Sequence, residues 1–164
     1  TPNATRTPRA YTEIVQRTVR PLRFEMTTSA GTMTLQLDCP DTRLTCLNFL
    51  NLSEQGFFDG VTFHRVVPDF VVQGGDPRGD GYGGPGYAIR DEISRRPYLR
   101  GTLGMALAGP HTGSSQFFLC LSEQPHLDGG YTAFGEVVAG EEVLDRITRG
   151  TVIERVRVVD STTP

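Results

Sequence analysis

Residues 63–76, Phe-His-Arg-Val-Val-Pro-Asp-Phe-Val-Val-Gln-Gly-Gly-Asp, embed one arginine and one glutamine in two short apolar runs. Arg65 and Gln73 so close to Phe70 and Val71 describe a greasy hollow with a planar cationic donor at its lip. A guanidinium is always charged and donates several hydrogen bonds from a rigid fork, so it can stabilise a lone pair without moving a proton. A second stretch answers the first: Gly104-Met105-Ala106-Leu107-Ala108-Gly109-Pro110, then Ser114-Ser115-Gln116-Phe117-Phe118-Leu119. Small residues there let a ligand backbone approach closely, and Gln116 and Phe118, two apart on a strand-like run, point the same way. The only histidines are His64, His111 and His126, and no GxSxG, HExxH or Cys-His signature is present. Hydrolase and metalloenzyme chemistry therefore have little support. Asp91-Glu92 is a carboxylate pair read as solvated or salt-bridged, not as an acid/base couple.

The elements that must position these residues are mostly short strands. Leu22, Phe24 and Met26 alternate with Arg23 and Glu25; after Ser29-Ala30-Gly31, Met33, Leu35 and Leu37 alternate with Thr34 and Gln36. That is a β-hairpin with one buried face. A helix follows from Thr45 as N-cap to Gln55, with Cys46, Phe49, Leu50 and Ser53 at helical spacing and Gly56 as its stop. Strands are expected at 61–67, 70–73, 101–107, 116–122, 133–138 and 152–159, and a second short helix between Glu141 and Thr148. Many short strands with two helices read as an antiparallel barrel or sandwich with capping helices.

A chain of 164 residues is one domain with room for a core that needs no staples. Net charge is −3, so no global positive field recruits nucleic acid or anionic lipid, and no apolar run has the length of a membrane span. All 16 basic residues are arginine, which fits a GC-rich bacterial coding bias better than a binding role. Cys39, Cys46 and Cys120 are an odd set without CxxC spacing, read as buried free thiols. Residues 1–20, rich in Thr, Arg and Pro, read as an extension or linker with a short amphipathic piece at Tyr11, Ile14, Val15 and Val19, and residues 21–164 as the domain proper. A start at Thr1 rather than Met reads as a processed or excised product.

The stretch 74–88 holds seven glycines and two prolines and must be an irregular loop. Several motif matches in it fail on context. Residues 79–84 satisfy GxGxxG, but Pro85 and Gly86 stand where a helix must start. Residues 76–87 have the length of an EF-hand loop, yet Arg78 and Tyr87 occupy ligand positions. Arg78-Gly79-Asp80 is a chance-level pattern, and the sequons at Asn3 and Asn51 carry no meaning in a bacterial protein without the glycosylation machinery, the second lying in an expected helix.

From Leu22 to Val159 the chain resembles the cyclophilin family of peptidyl-prolyl cis-trans isomerases, whose signature regions are similar to the segments quoted above. The resemblance implies a mainly β fold, a closed eight-stranded antiparallel β-barrel capped by two α-helices. It implies isomerisation of Xaa-Pro bonds in peptides and unfolded proteins, with no cofactor and no metal. Arg65, Phe70, Gln73 and Phe118 would be catalytic; Val71, Ala106, Leu107, Ala108, Gln116, His126, Leu127 and Tyr131 would bind substrate; His64 would be structural. Three departures stand out. His126 precedes Leu127-Asp128-Gly129 where many members carry Trp, which implies weak or no cyclosporin binding; Leu107 stands where many have Asn; Tyr131 replaces a frequent His, as in bacterial-type members. The implied partners are proline-containing peptides or unfolded clients, not nucleic acid or membrane, and the protein is expected to be a soluble monomer of bacterial cytoplasm or periplasm. The rival expectation is a non-catalytic module that binds proline-containing segments for a larger assembly, which Leu107 and His126 favour and the intact Arg65, Phe70, Gln73 and Phe118 oppose. A carbohydrate-binding β-module is disfavoured by the absence of Trp.

Overall fold

The computed structural model describes residues 16–159; Tyr11, Ile14, Val15 and the sequon at Asn3 lie outside the described residues. Period-two alternation builds the first hairpin, β1 (Leu22–Thr28) and β2 (Gly31–Leu37). Phe24 lies opposite Leu35 and Met26 opposite Met33, and all four are fully buried on one face.

Helix α1 spans Arg43–Glu54 and starts earlier than the expected cap at Thr45. Thr42, the residue before it, makes no side-chain cap bond. The first-turn amides are instead satisfied from a distant segment: Glu92 accepts the N–H of Leu44 at 3.1 Å and of Thr45 at 2.6 Å, and the Thr45 hydroxyl at 2.6 Å. A carboxylate is well suited to that position, where free N–H groups and the helix dipole both favour negative charge. Gly56, at φ 69°, ends the helix as expected. On its buried face Phe49 meets the rings of Phe24 and Phe58, each at 5.1 Å, Phe134 at 5.9 Å and Phe117 at 6.0 Å, forming the centre of the core.

The later strands are β3 (Arg65–Val67), β4 (Val71–Gly74), β5 (Thr102–Met105), β6 (Phe117–Cys120), β7 (Ala133–Ala139) and β8 (Ile153–Val159), most of them shorter than expected. All eight form one antiparallel sheet in the order β3-β4-β6-β5-β7-β2-β1-β8. The sheet curls into a half-barrel and is not the closed barrel expected. Its edges β3 and β8 share no ladder. They are joined upstream of β3, by an isolated bridge between Thr62 and Val152 and by main-chain bonds from Phe63 N–H to Thr151 O, Gly150 N–H to Phe63 O, Ile153 N–H to Val61 O and Gly60 N–H to Ile153 O. That bridge is antiparallel, so the chain runs from Thr62 into β3 on the side away from β8, and the two edge strands diverge.

Two further expectations are corrected. The stretch Glu141–Arg146 is a 3-10 helix, not a second α-helix: Gly140 is left-handed at φ 77° and Ile147 already extended, leaving six residues, a length suited to the tighter coil. Another 3-10 turn spans Pro125–Leu127. Cys39 and Cys46, expected as free thiols, form a disulfide with their Cα atoms 5.2 Å apart. The turn between β2 and α1, in which Asp38 O accepts from the N–H of Asp41 and Thr42 and from the Thr42 hydroxyl, doubles the chain back and brings the two sulfurs together. Cys120 is buried and free, as expected. Arg17, ahead of β1, lies 2.7 Å from Glu54 at the end of α1.

Candidate active site

Alternation along the strands divides the sheet into a core face and a site face. On β6, Phe117 and Leu119 enter the main core, whereas Phe118 and Cys120 join a second cluster with Val71, Tyr98, Leu127 and Ala133. Strand β4 divides likewise, with Val72 in the core and Val71 on the site face. The register then sets one row across four strands: Arg65 of β3 beside Gln73 of β4, Gln73 beside Phe118 of β6, and Phe118 beside Gly104 of β5. Gly104 must lack a side chain there, since a Cβ would lie 2.4 Å from the Phe118 ring and 2.8 Å from that of Tyr98.

A chain of polar bonds runs along the same face. Arg65 Nη1 donates to Gln73 Oε1 at 3.2 Å, and Gln73 Nε2 donates to Gln116 Oε1 at 3.2 Å. Gln116 Nε2 donates in turn to the carbonyls of Gly81 at 2.9 Å and Gly83 at 3.1 Å. The Arg65 guanidinium lies 5.9 Å from the Phe70 ring centre and forms no ion pair among the described residues. Phe70 is held by the preceding tight turn, where Asp69 takes φ 59° and its carbonyl accepts from Ser122 Oγ at 2.5 Å and Gln124 Nε2 at 2.9 Å.

Arg65, Phe70, Val71, Gln73, Ala106, Leu107, Phe118, Leu127 and Tyr131 line one open cleft of about 420 Å³. Three residues singled out from sequence do not line it. Gln116 stands behind Gln73; His126 is exposed and stacks on the outer face of Phe70, ring centres 5.5 Å apart; Ala108 lies beyond the rim. The N–H of Ala106 donates to Gln116 O at 3.1 Å and that of Ala108 to Thr112 Oγ1 at 2.8 Å. Both are thus engaged within the fold, so main-chain pairing with a ligand there falls to carbonyls and to Leu107.

Electrostatics around the cleft keep its floor neutral. Burial pushes the Cys120 thiol up to about 12, helped by the Asp128 carboxylate, so it is no thiolate nucleophile near neutral pH. Burial likewise raises the Tyr98 phenol, which donates to Tyr131 O at 2.9 Å. His64, next to the key arginine, is held below the usual imidazole range by burial, an effect the Asp76 carboxylate partly offsets and Arg65 reinforces. Its Nδ1 is buried with no hydrogen-bond partner among the described residues. The arrangement offers a fixed cationic donor beside an apolar wall.

Comparison with known proteins decides what such a cleft belongs to. Residues 23–163 match the family model described as cyclophilin type peptidyl-prolyl cis-trans isomerase/CLD. The chain belongs to the cyclophilin family. Among its relatives, a peptidyl-prolyl cis-trans isomerase of Synechococcus elongatus is 50% identical over 134 residues, covering 80% of this chain and 92% of that one. Peptidyl-prolyl cis-trans isomerase B of Bacillus subtilis is 50% identical over 116 residues, 70% of this chain and 81% of the other. A crystal structure of a cyclophilin type isomerase from Cryptosporidium parvum matches with TM-score 0.82 at 32% identity, covering 88% of this chain and 100% of that one. The same Cryptosporidium protein in the presence of the dipeptide Ala-Pro matches with TM-score 0.80.

In this cyclophilin the sequence reading missed the supporting residues. Tyr98 stacks on Phe118 at 5.6 Å, 24° from parallel, and braces it from behind. Ser122 and Gln124 set Phe70, and the carbonyls of Gly81 and Gly83 anchor Gln116. Their signal was absent from sequence because each acts through a contact between distant segments. Only the glycine density of 74–88 marked a loop whose main chain comes close to something.

Proposed function

We propose that this cyclophilin isomerises Xaa-Pro bonds in peptides and unfolded chains, with Arg65 as the catalytic donor. Resonance gives a peptide bond a rotational barrier of ~18–20 kcal/mol. At Xaa-Pro the end states differ by only ~0.5–1 kcal/mol. No bond is made or broken, so the catalyst needs only to favour the twisted state over both planar ones. In that state the prolyl nitrogen leaves conjugation, becomes pyramidal and exposes a lone pair. A donor aimed at it is stronger there than in either ground state, and stronger again where water is excluded.

The observation that carries this reading is the polar row: Gln73 takes one N–H of Arg65 and no carboxylate among the described residues takes the rest, at the lip of an apolar cleft. Phe118, Val71 and Leu127 would clamp the prolyl ring, with Phe70 holding the guanidinium plane and Ala106 to Ala108 pairing with the flanking peptide. Tyr131 would close one side. His126 in place of Trp gives weak cyclosporin binding, since a smaller, polar ring borders the pocket. The isomerase names of the relatives favour an enzyme over a binding-only module. The test is a protease-coupled isomerisation assay on a short Ala-Pro peptide. The parent chain accelerates the reaction, and Arg65→Ala lowers kcat/KM at least about tenfold, ~1.4 kcal/mol of transition-state stabilisation. An alanine variant as active as the parent would overturn the assigned role.

A further inference from the structure

The polar row does not end at Gln116. Gly81 and Gly83, whose carbonyls receive the Gln116 amide, are held from their other side by Asp76, a side chain 1% exposed. Its carboxylate accepts the N–H of Arg78 at 2.8 Å, of Asp80 at 3.0 Å and of Gly81 at 2.5 Å. Gly81 is therefore bonded on both main-chain groups, its N–H to Asp76 and its carbonyl to Gln116. Gly83 packs against the same carboxylate, where a Cβ would lie 2.0 Å from Asp76 Oδ1. A charged acceptor holds N–H donors about twice as strongly as a neutral one, so this carboxylate can fold the 76–83 loop around itself.

The consequence is one of polarity. A glutamine side chain ends in one oxygen and one NH2, of similar shape, and either can face a given neighbour. Two carbonyls at Gly81 and Gly83 force the NH2 of Gln116 towards the loop, which leaves its oxygen towards Gln73. Gln73 must then turn its NH2 to Gln116 and its oxygen to Arg65. Reversing Gln116 would reverse Gln73 with it and turn the Gln73 NH2 towards the guanidinium, donor against donor.

We infer that Asp76 is a positioning residue for Arg65, fixing through the Gly81 and Gly83 carbonyls the direction of a two-glutamine relay that presents an acceptor to the guanidinium. This rests on the role proposed for Arg65 and adds the element that sets it.

The experiment measures kcat and KM on the Ala-Pro peptide for Asp76→Asn, Gln116→Glu, Gln116→Ala, the double variant Asp76→Asn/Gln116→Ala, and Arg65→Ala as reference, each checked for a cooperative melt. Asparagine turns an NH2 towards the caging N–H groups; glutamate in place of Gln116 sets an oxygen against the two carbonyls. Both variants should lower kcat about five- to tenfold with KM within twofold of the parent. The double variant should lose no more than its worse single member, because both act through one relay. If Asp76→Asn does not fold, Gln116→Glu carries the test alone. If Arg65→Ala is inactive while the folded Asp76→Asn and Gln116→Glu variants keep parental kcat, or the losses of Asp76→Asn and Gln116→Ala multiply in the double variant, the relay is refuted and the Arg65 role stands. If Arg65→Ala keeps parental activity, the underlying reading fails instead.

Discussion

Replacing Arg65 with lysine separates charge from geometry at the proposed centre. In the parent, Nη1 is occupied by Gln73 Oε1 at 3.2 Å and the guanidinium is held 5.9 Å from the Phe70 ring, so the remaining N–H groups point from a fixed plane. Lysine keeps the charge but places it on a flexible stem with no fork; one ammonium must choose between Gln73 and the substrate. The loss is that of a positioned hydrogen bond from a charged donor, about 1.5–3 kcal/mol. At about 1.4 kcal/mol per decade, kcat/KM should fall about 10- to 150-fold. Because Arg65 is exposed and unpaired by any carboxylate among the described residues, stability should change by less than about 0.5 kcal/mol. The assay is the coupled Ala-Pro reaction beside a thermal melt of the same preparation. A lysine variant within twofold of the parent would show that charge alone suffices and that the fork, with the relay behind it, is irrelevant.

Two further outcomes follow from groups outside the cleft. Without reductant, a thiol reagent at pH 8 should leave native Cys120 unlabelled, because burial pushes its thiol up to about 12; after denaturation it should find one thiol per chain, and after reduction three. Three thiols before reduction would refute the Cys39–Cys46 pairing. Acid should destabilise the fold in two stages. His64 is held below its usual 6.5, so the unfolded chain takes up the proton first, and melting temperature should decline as pH falls below about 6.5. Burial would raise the Asp76 carboxyl, but the N–H groups of Arg78, Gly81, Gly83 and Asp80 outweigh it and hold it below its usual 3.8; its contribution persists above that value and is lost as pH falls through the lower, folded one. His64→Gln should flatten the first decline and leave the second; an unchanged profile would exclude His64 as its source.

Much of this molecule can be read from local pattern. Alternation at Leu22–Met26 and Met33–Leu37 is a property of neighbours, and so is the helix stop at Gly56. The residues that share the candidate cleft were legible because Arg65, Gln73 and Phe118 lie in long motifs and on strands whose period decides their face. What escaped depends on distance along the chain. Glu92 caps α1 from 47 residues beyond Thr45, so Thr45 looked like a self-sufficient cap. Cys39 and Cys46 meet only because the Asp38 turn reverses the chain, a geometry that their spacing does not reveal. Closure of the sheet depends on how far its edges overlap, and Val143, Leu144 and Ile147 gave a helical period where six residues after a left-handed glycine permit only a 3-10 coil. Asp76 stood only as the last letter of the 63–76 stretch and the first of a failed calcium motif, with no sign that it caged a loop.

The seam at Thr62 and Val152 gives the enzyme an unequal architecture. Phe118 is anchored in the interior of the sheet, between β4 and β5, whereas Arg65 opens a three-residue marginal strand just downstream of that fastening. Opening the seam would leave β3 hanging from β4 alone, while the greasy floor keeps neighbours on both sides. On the role proposed for Arg65, mild heat or denaturant should then lower turnover before it loosens the phenylalanine centre.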